Sequence, residues 1–172
     1  MPDIHSAEKR SNNMAAIHSK NTKPEIIVRK YLHRKGYRFR LNVKRLPGSP
    51  DIVLRRLHTV ILVNGCFWHG HIGCKYYVTP KSNRDFWINK IERNQERDLK
   101  VRSELTALGW NVIQIWECQL KPNVRESTLA SLLMTLSQIE LKLANMQPAV
   151  IPYLYNNEDS VRMVADESQL ER

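Results

Sequence analysis

Four side chains in this chain are suited to a soft metal. Cys66, His71 and Cys74 fall within nine residues, and Cys118 follows further on. Thiolates and imidazole are the donors that tetrahedral zinc prefers. With all four positions taken the ion keeps no open site, so such a centre would anchor a loop rather than react. Three unrelated buried thiols are the bland alternative, since an odd cysteine count fits no disulfide framework.

Glu25, Asp51 and His69 form a second set with different chemistry. Asp51 follows Pro50 at the expected head of a strand, where a carboxylate can point out of the sheet end. A hard cation such as magnesium takes carboxylate, carbonyl and water oxygens. It could hold a phosphate and acidify an attacking water. His69 could accept that water's proton, because imidazole titrates near neutrality. Each residue has a plainer reading too. Asp after Pro suits a turn, Glu25 suits a helix cap, and His69 competes with His71 for the soft-metal site.

A third set is aromatic. Phe67-Trp68 lie in a polar loop and Phe86-Trp87 near the start of a helix, among Lys75, Lys81, Arg84, Lys90 and Arg93. Such rings stack on bases or wedge between them. Trp87, Lys90 and Asn94 share one helix face at i, i+3 and i+7, where a wedge, a cation and an amide could read a base pair. The alternative is that Phe86 and Trp87 are core.

The elements that must position these residues can be read from period and punctuation. The chain has 172 residues, with 42% hydrophobic and 26% charged, enough for one globular domain. No run of 18 apolar residues occurs and the first thirty residues are polar, so a membrane span and a secretory signal are not expected and an intracellular protein is. Net charge is +10, yet residues 152–172 carry five acids against two bases, so the preceding body carries +13. A basic body favours a polyanion, usually DNA or RNA. Residues 1–21 read as a polar arm with one short helix. Thr22, Pro24 and Glu25 spell a capped helix start, and Ile27, Val28, Tyr31 and Leu32 give an apolar stripe that stops at Gly36. Alternation over 37–43 predicts a first strand, Asp51–Leu54 a second, and Thr59–Val63 an apolar third at the sheet centre. A Gly-, His- and Cys-bearing loop follows over 64–82. A long helix is predicted from about Asn83 to Leu108, a fourth strand over Asn111–Trp116 and a helix over Leu129–Leu143. This order makes an α/β fold, a mixed sheet flanked by helices. If the fourth strand lies beside the third, Cys118 emerges near Cys66.

These residues resemble a known family. Leu46-Pro47-Gly48-Ser49-Pro50-Asp51, Asn64-Gly65-Cys66-Phe67-Trp68-His69-Gly70-His71, Phe86-Trp87 with Lys90-Ile91 and Asn94, Glu96-Arg97-Asp98, Gly109-Trp110 and Trp116-Glu117-Cys118 are similar to the very short patch repair (Vsr) endonucleases. The resemblance begins at Arg10-Ser11-Asn12-Asn13-Met14 and ends near Cys118. It implies a restriction-endonuclease-like fold and a nick on the 5′ side of the thymine in a T:G mismatch left by 5-methylcytosine deamination. It further implies that Asp51 and the Val63 carbonyl hold Mg²⁺, that His69 is the base, and that Glu25 and Asp98 act through waters of the metal. Cys66, His71, Cys74 and Cys118 match a structural Zn²⁺ set. Phe67, Trp68 and Trp87 match an intercalating wedge, and Met14, Lys90 and Asn94 match residues touching the mismatched pair. Two departures stand out. Asn64 replaces a second active-site histidine of the best-known member, and the loop between His71 and Cys74 is one residue longer.

The expected organisation is an arm over 1–21 that embraces DNA, a nuclease domain over 22–147 and an acidic tail over 148–172. The partner implied is double-stranded DNA with a T:G mismatch, in the setting of mismatch-repair proteins and a cytosine-5 methyltransferase. A monomer in the bacterial cytoplasm, associated with the nucleoid, is expected. A restriction-like nuclease for a paired sequence and a non-catalytic zinc-stabilised DNA-binding module are the competing readings.

Overall fold

A computed structural model describes Lys9 and residues 20–146. Met14, nearly all of the arm and the tail from 148 lie outside the described residues.

Helix α1 (Lys23–Arg34) begins where the sequence says it should. The Thr22 hydroxyl accepts from the Glu25 backbone N–H, and the Glu25 carboxylate reaches back to the Thr22 backbone, so two orphan amides are satisfied. Val28 and Leu32 on its inner face are fully buried. Gly36, at φ 84°, turns the chain out of the helix.

Strand β1 (Ile52–Leu54) pairs antiparallel with β2 (Thr59–Asn64) around a 3₁₀ turn at Arg55–Leu57, and β2 pairs parallel with β3 (Asn111–Trp116). The parallel connection is made by α2 (Arg84–Ala107), and α3 (Arg125–Met146) follows β3 after a second 3₁₀ turn at Glu117–Leu120. The mixed sheet is therefore ordered β1-β2-β3, with the apolar strand at its centre.

Successive side chains of a strand point to opposite faces, and the two cores follow that rule. Ile52, Leu54, Ile61 and Ile115 pack with Val28 and Leu32 of α1 and Leu129, Leu132 and Leu136 of α3. Val53 and Val60 pack on the other face with Leu105 and Val101 of α2 and with Trp110. Among the described residues, no helix is long and apolar enough to cross a membrane.

Two expectations need correction. The strand over 37–43 reduces to one bridge, Arg40 with Val53, closed by two backbone hydrogen bonds of 3.0 and 2.8 Å. Asn42 takes φ 46°, which ends the extended run, and Val43 already enters the turn that Leu46 closes. Tyr37 and Phe39 still pack against the core, so the alternation reported burial correctly without a ladder. The last helix starts at Arg125, four residues before the apolar stripe, because its first turn is polar and carries no periodic signal.

Leu136 is fully buried between the sheet and α3, whereas Met134 is 65% exposed. Leu136→Ala should cost about 2–5 kcal/mol of unfolding free energy in urea, and Met134→Ala less than about 0.5 kcal/mol. Equal costs would show that α3 does not seal this core.

Candidate active site and metal centre

The pairing of β2 with β3 carries the register Asn64 opposite Trp116, so both chains leave the sheet side by side. Cys66 and Cys118 lie just past that point. With His71 and Cys74 they bring four ligand atoms within 4.8 Å of one another. His71 Nδ1 is 3.6 Å from Cys66 Sγ and 3.5 Å from Cys118 Sγ. A tetrahedral ion with zinc's bond lengths separates its nitrogen and sulfur ligands by about 3.6 Å, so the donors fit in type and spacing. The His71 ring lies flat on Trp116, with centroids 4.0 Å apart and planes 1° from parallel. Burial pushes the Cys66 thiol up to about 12 and raises that of Cys118, whereas backbone N–H donation from Tyr76 lowers that of Cys74. Metal uptake must therefore drive protons off the buried thiols.

The carboxylates gather at the same end of the sheet. Asp51 stands just before β1, and its Oδ2 accepts the Val63 backbone N–H at 2.8 Å. Burial raises the Asp51 pKa first, the Val63 hydrogen bond opposes it, the Glu25 charge adds to it, and Arg29 and His69 pull it down. Glu25 is 3% exposed and saturated. Its Oε1 accepts from the Thr22 amide and hydroxyl, and its Oε2 from the Asn21 amide and Arg29 Nη2. Four donors use up the lone pairs of a carboxylate, so the hydrogen-bonding capacity of Glu25 is filled. His69 Nδ1 bonds Asp98 Oδ2, and Asn64, 6% exposed, sends its amide Nδ2 to the same oxygen at 3.5 Å.

The loop between these centres has little core, and α2 holds it. Asn94 Nδ2 donates to the Trp68 carbonyl at 2.8 Å and Gln95 Nε2 to the Gly70 carbonyl at 3.0 Å. Gly70 has φ 57°, and a Cβ there would lie 2.4 Å from Gln95 Nε2 and 2.7 Å from Ile91 Cγ2, so only glycine permits the approach. Phe67, Trp68 and Trp87 then meet edge to face, with centroids 5.2–5.9 Å apart. All three are half-buried and belong to neither core, and Phe86, 55% exposed, extends the cluster.

The family model described as "DNA mismatch endonuclease Vsr" matches residues 2–75. A Neisseria meningitidis protein, "Type II nicking enzyme V.NmeAIP", is 53% identical over 121 residues, covering 70% of this chain and 86% of its own. "Type II nicking enzyme V.XorIIP" of Xanthomonas oryzae is 50% identical over 120 residues, covering 70% and 88%. "DNA mismatch endonuclease Vsr" of Escherichia coli is 40% identical over 121 residues, covering 70% and 77%.

The chain belongs to the Vsr endonuclease family. It is accordingly an endonuclease, and its substrate is DNA. In this Vsr-family chain the structure brings together Asp51, Val63, His69, Asp98 and Asn64 near one sheet end, and Cys66, His71, Cys74 and Cys118 beside them. The competition between the histidines resolves by geometry, since His71 faces the thiols and His69 faces Asp98. Lys90 is exposed on α2, one turn from Trp87. Asn94 donates one of its two amide hydrogens to the loop. Sequence reasoning missed Arg29 and Gln95. Arg29 is legible as the i+4 partner of Glu25, but Gln95 carries no signal until the loop lies on α2.

Metal analysis should find about one tightly held ion per chain at the Cys₃His centre. Its removal by a chelator should lower the melting temperature and open the 64–82 loop to protease; an unchanged melting curve would mean that the centre anchors nothing. At Asp51 the pKa is raised in the folded state, so stability falls as pH rises from the unfolded carboxylate's pKa to the folded one, and the full cost is present above that. Without divalent metal, Asp51→Asn should raise the melting temperature at pH 7, and the gain should vanish in acid, where Asp51 is protonated folded or unfolded.

Proposed function

We propose that this Vsr-family endonuclease nicks one strand on the 5′ side of the thymine in a T:G mismatch, the product of 5-methylcytosine deamination. The observation that carries the reading is the span from Val63 to His69. Within it Val63 bonds Asp51, Phe67 and Trp68 join Trp87, and His69 engages Asp98. Cutting groups and an accessible wedge thus share one short segment. A wedge suits a weak base pair, which costs less to unstack than a matched one. The mismatch named for the E. coli relative, 40% identical, supports the same target.

Mg²⁺, held by Asp51 and the Val63 carbonyl, would neutralise the scissile phosphate and acidify the attacking water. The protein supplies the proton acceptor. The tautomer that donates Nδ1–H to Asp98 leaves the His69 Nε2 lone pair to receive the water's proton, and Asp98 then stabilises the imidazolium. Asn64 orients Asp98 through its amide and stays uncharged at any pH. Glu25, saturated by four donors, acts on the metal's surroundings rather than as a ligand. Zn²⁺ is the ion assigned to the Cys₃His centre. Phe67, Trp68 and Trp87 form the wedge, Lys90, Asn94 and Met14 meet the mismatched pair, and the arm over 1–21 embraces the duplex ahead of the nuclease domain over 22–147. Mismatch-repair proteins and a cytosine-5 methyltransferase are the expected context.

A duplex with one T:G pair in a methyltransferase-type site should be nicked only with Mg²⁺ present, and the fully paired duplex left intact. Equal cutting of both would replace this reading with a restriction-like one. Asp51→Ala and His69→Ala should each lower single-turnover nicking by at least about 100-fold; an Asp51→Ala protein as active as the parent would remove Asp51 from the metal site.

A further inference from the structure

A groove beside the cutting centre is unused by the mechanism above. It is a shallow, open groove of about 510 Å³, lined by Arg29, Lys30, His33 and Arg34 of α1 and by Phe39 and Leu41 of the following segment. The four basic side chains fall at i, i+1, i+4 and i+5, on one side of the helix. No carboxylate lines the groove. Among the described residues, Lys30, His33 and Arg34 are exposed and make no ion pair, whereas Arg29 is neutralised by Glu25. The floor is apolar, with Leu41 42% exposed.

The groove is tied to the catalytic end through Arg29. That residue is one helical turn from Glu25, and its charge acts on Asp51. We infer that this face of α1 carries the DNA backbone leaving the cutting centre. Lys30 and Arg34 would contact successive phosphates, and Phe39 and Leu41 would receive the sugar carbons between them. Charge complementarity and continuity with Asp51 favour DNA as the occupant. Free cations on an exposed helix, facing a polyanion already held at one end, release counterions when they dock. The contact is independent of sequence, since phosphates position and base edges specify. The inference rests on the chain cutting DNA, not on the mismatch it prefers.

The test is duplex binding without divalent metal, measured over a range of salt on a T:G duplex and its paired counterpart. Each phosphate contact contributes about 0.9 to the slope of log K against log salt. Lys30→Gln with Arg34→Gln should flatten that slope by about 2, and weaken both duplexes by the same factor. Lys30→Arg with Arg34→Lys should keep the parental slope, and melting curves should match the parent for both pairs. An unchanged slope in the glutamine variant would overturn the inference even if T:G duplexes are nicked. A flattened slope would uphold it even if paired duplexes are cut equally well.

Discussion

The candidate site in this fold depends on how the segment leaving β2 is pressed onto α2. That segment buries few apolar side chains, so its conformation has to be imposed from outside. One end is fixed by the four donors of the Cys₃His centre. The middle is fixed by Asn94, Gln95 and Asp98, which reach the loop from within five positions of one helix. Gly70 allows the contact, because any side chain there would strike Gln95 and Ile91. The result is a loop held by specific contacts along its length while Phe67 and Trp68 stay half-buried at the surface.

The electrostatics at the sheet end follow from burying two carboxylates together. Glu25 has both oxygens hydrogen-bonded by the helix start and by Arg29, which holds it in place while its charge still reaches Asp51. Asp51 has a single backbone donor and suffers both burial and the nearby Glu25, which is why its pKa rises. A site so arranged is short of positive charge. Arg29 supplies part of the deficit, and its buried Nε has no hydrogen-bond partner, a local cost of about 1–3 kcal/mol.

Much of this was legible beforehand, for reasons that differ by element. The start of α1 was readable because capping is local, needing Thr22, Pro24 and Glu25 within four positions. The central place of β2 was readable because a strand covered on both faces must be apolar throughout. The segment over 37–43 misled because burial alternates there while Asn42 and the turn at Val43 withhold the backbone partners of a full strand. The polar first turn of α3 was invisible for the opposite reason, since no burial marks it.

The sequence by itself determined which chemistries were available: three thiols and a histidine for a soft ion, acids and a histidine for a hard one, and aromatic pairs in a basic chain. Residue type and local spacing are enough for that. Type and spacing alone left His69 and His71 as competitors, offered Glu25 two roles, and said nothing of Gln95. The resemblance had already divided the histidines, and the tertiary structure supplies the physical reason, because the parallel register of β2 and β3 sends Cys118 to His71 while α2 offers Asp98 to His69. Those partners lie 47 and 29 residues away along the chain. No local pattern encodes contacts at that range, since they exist only once the sheet and the helix have packed.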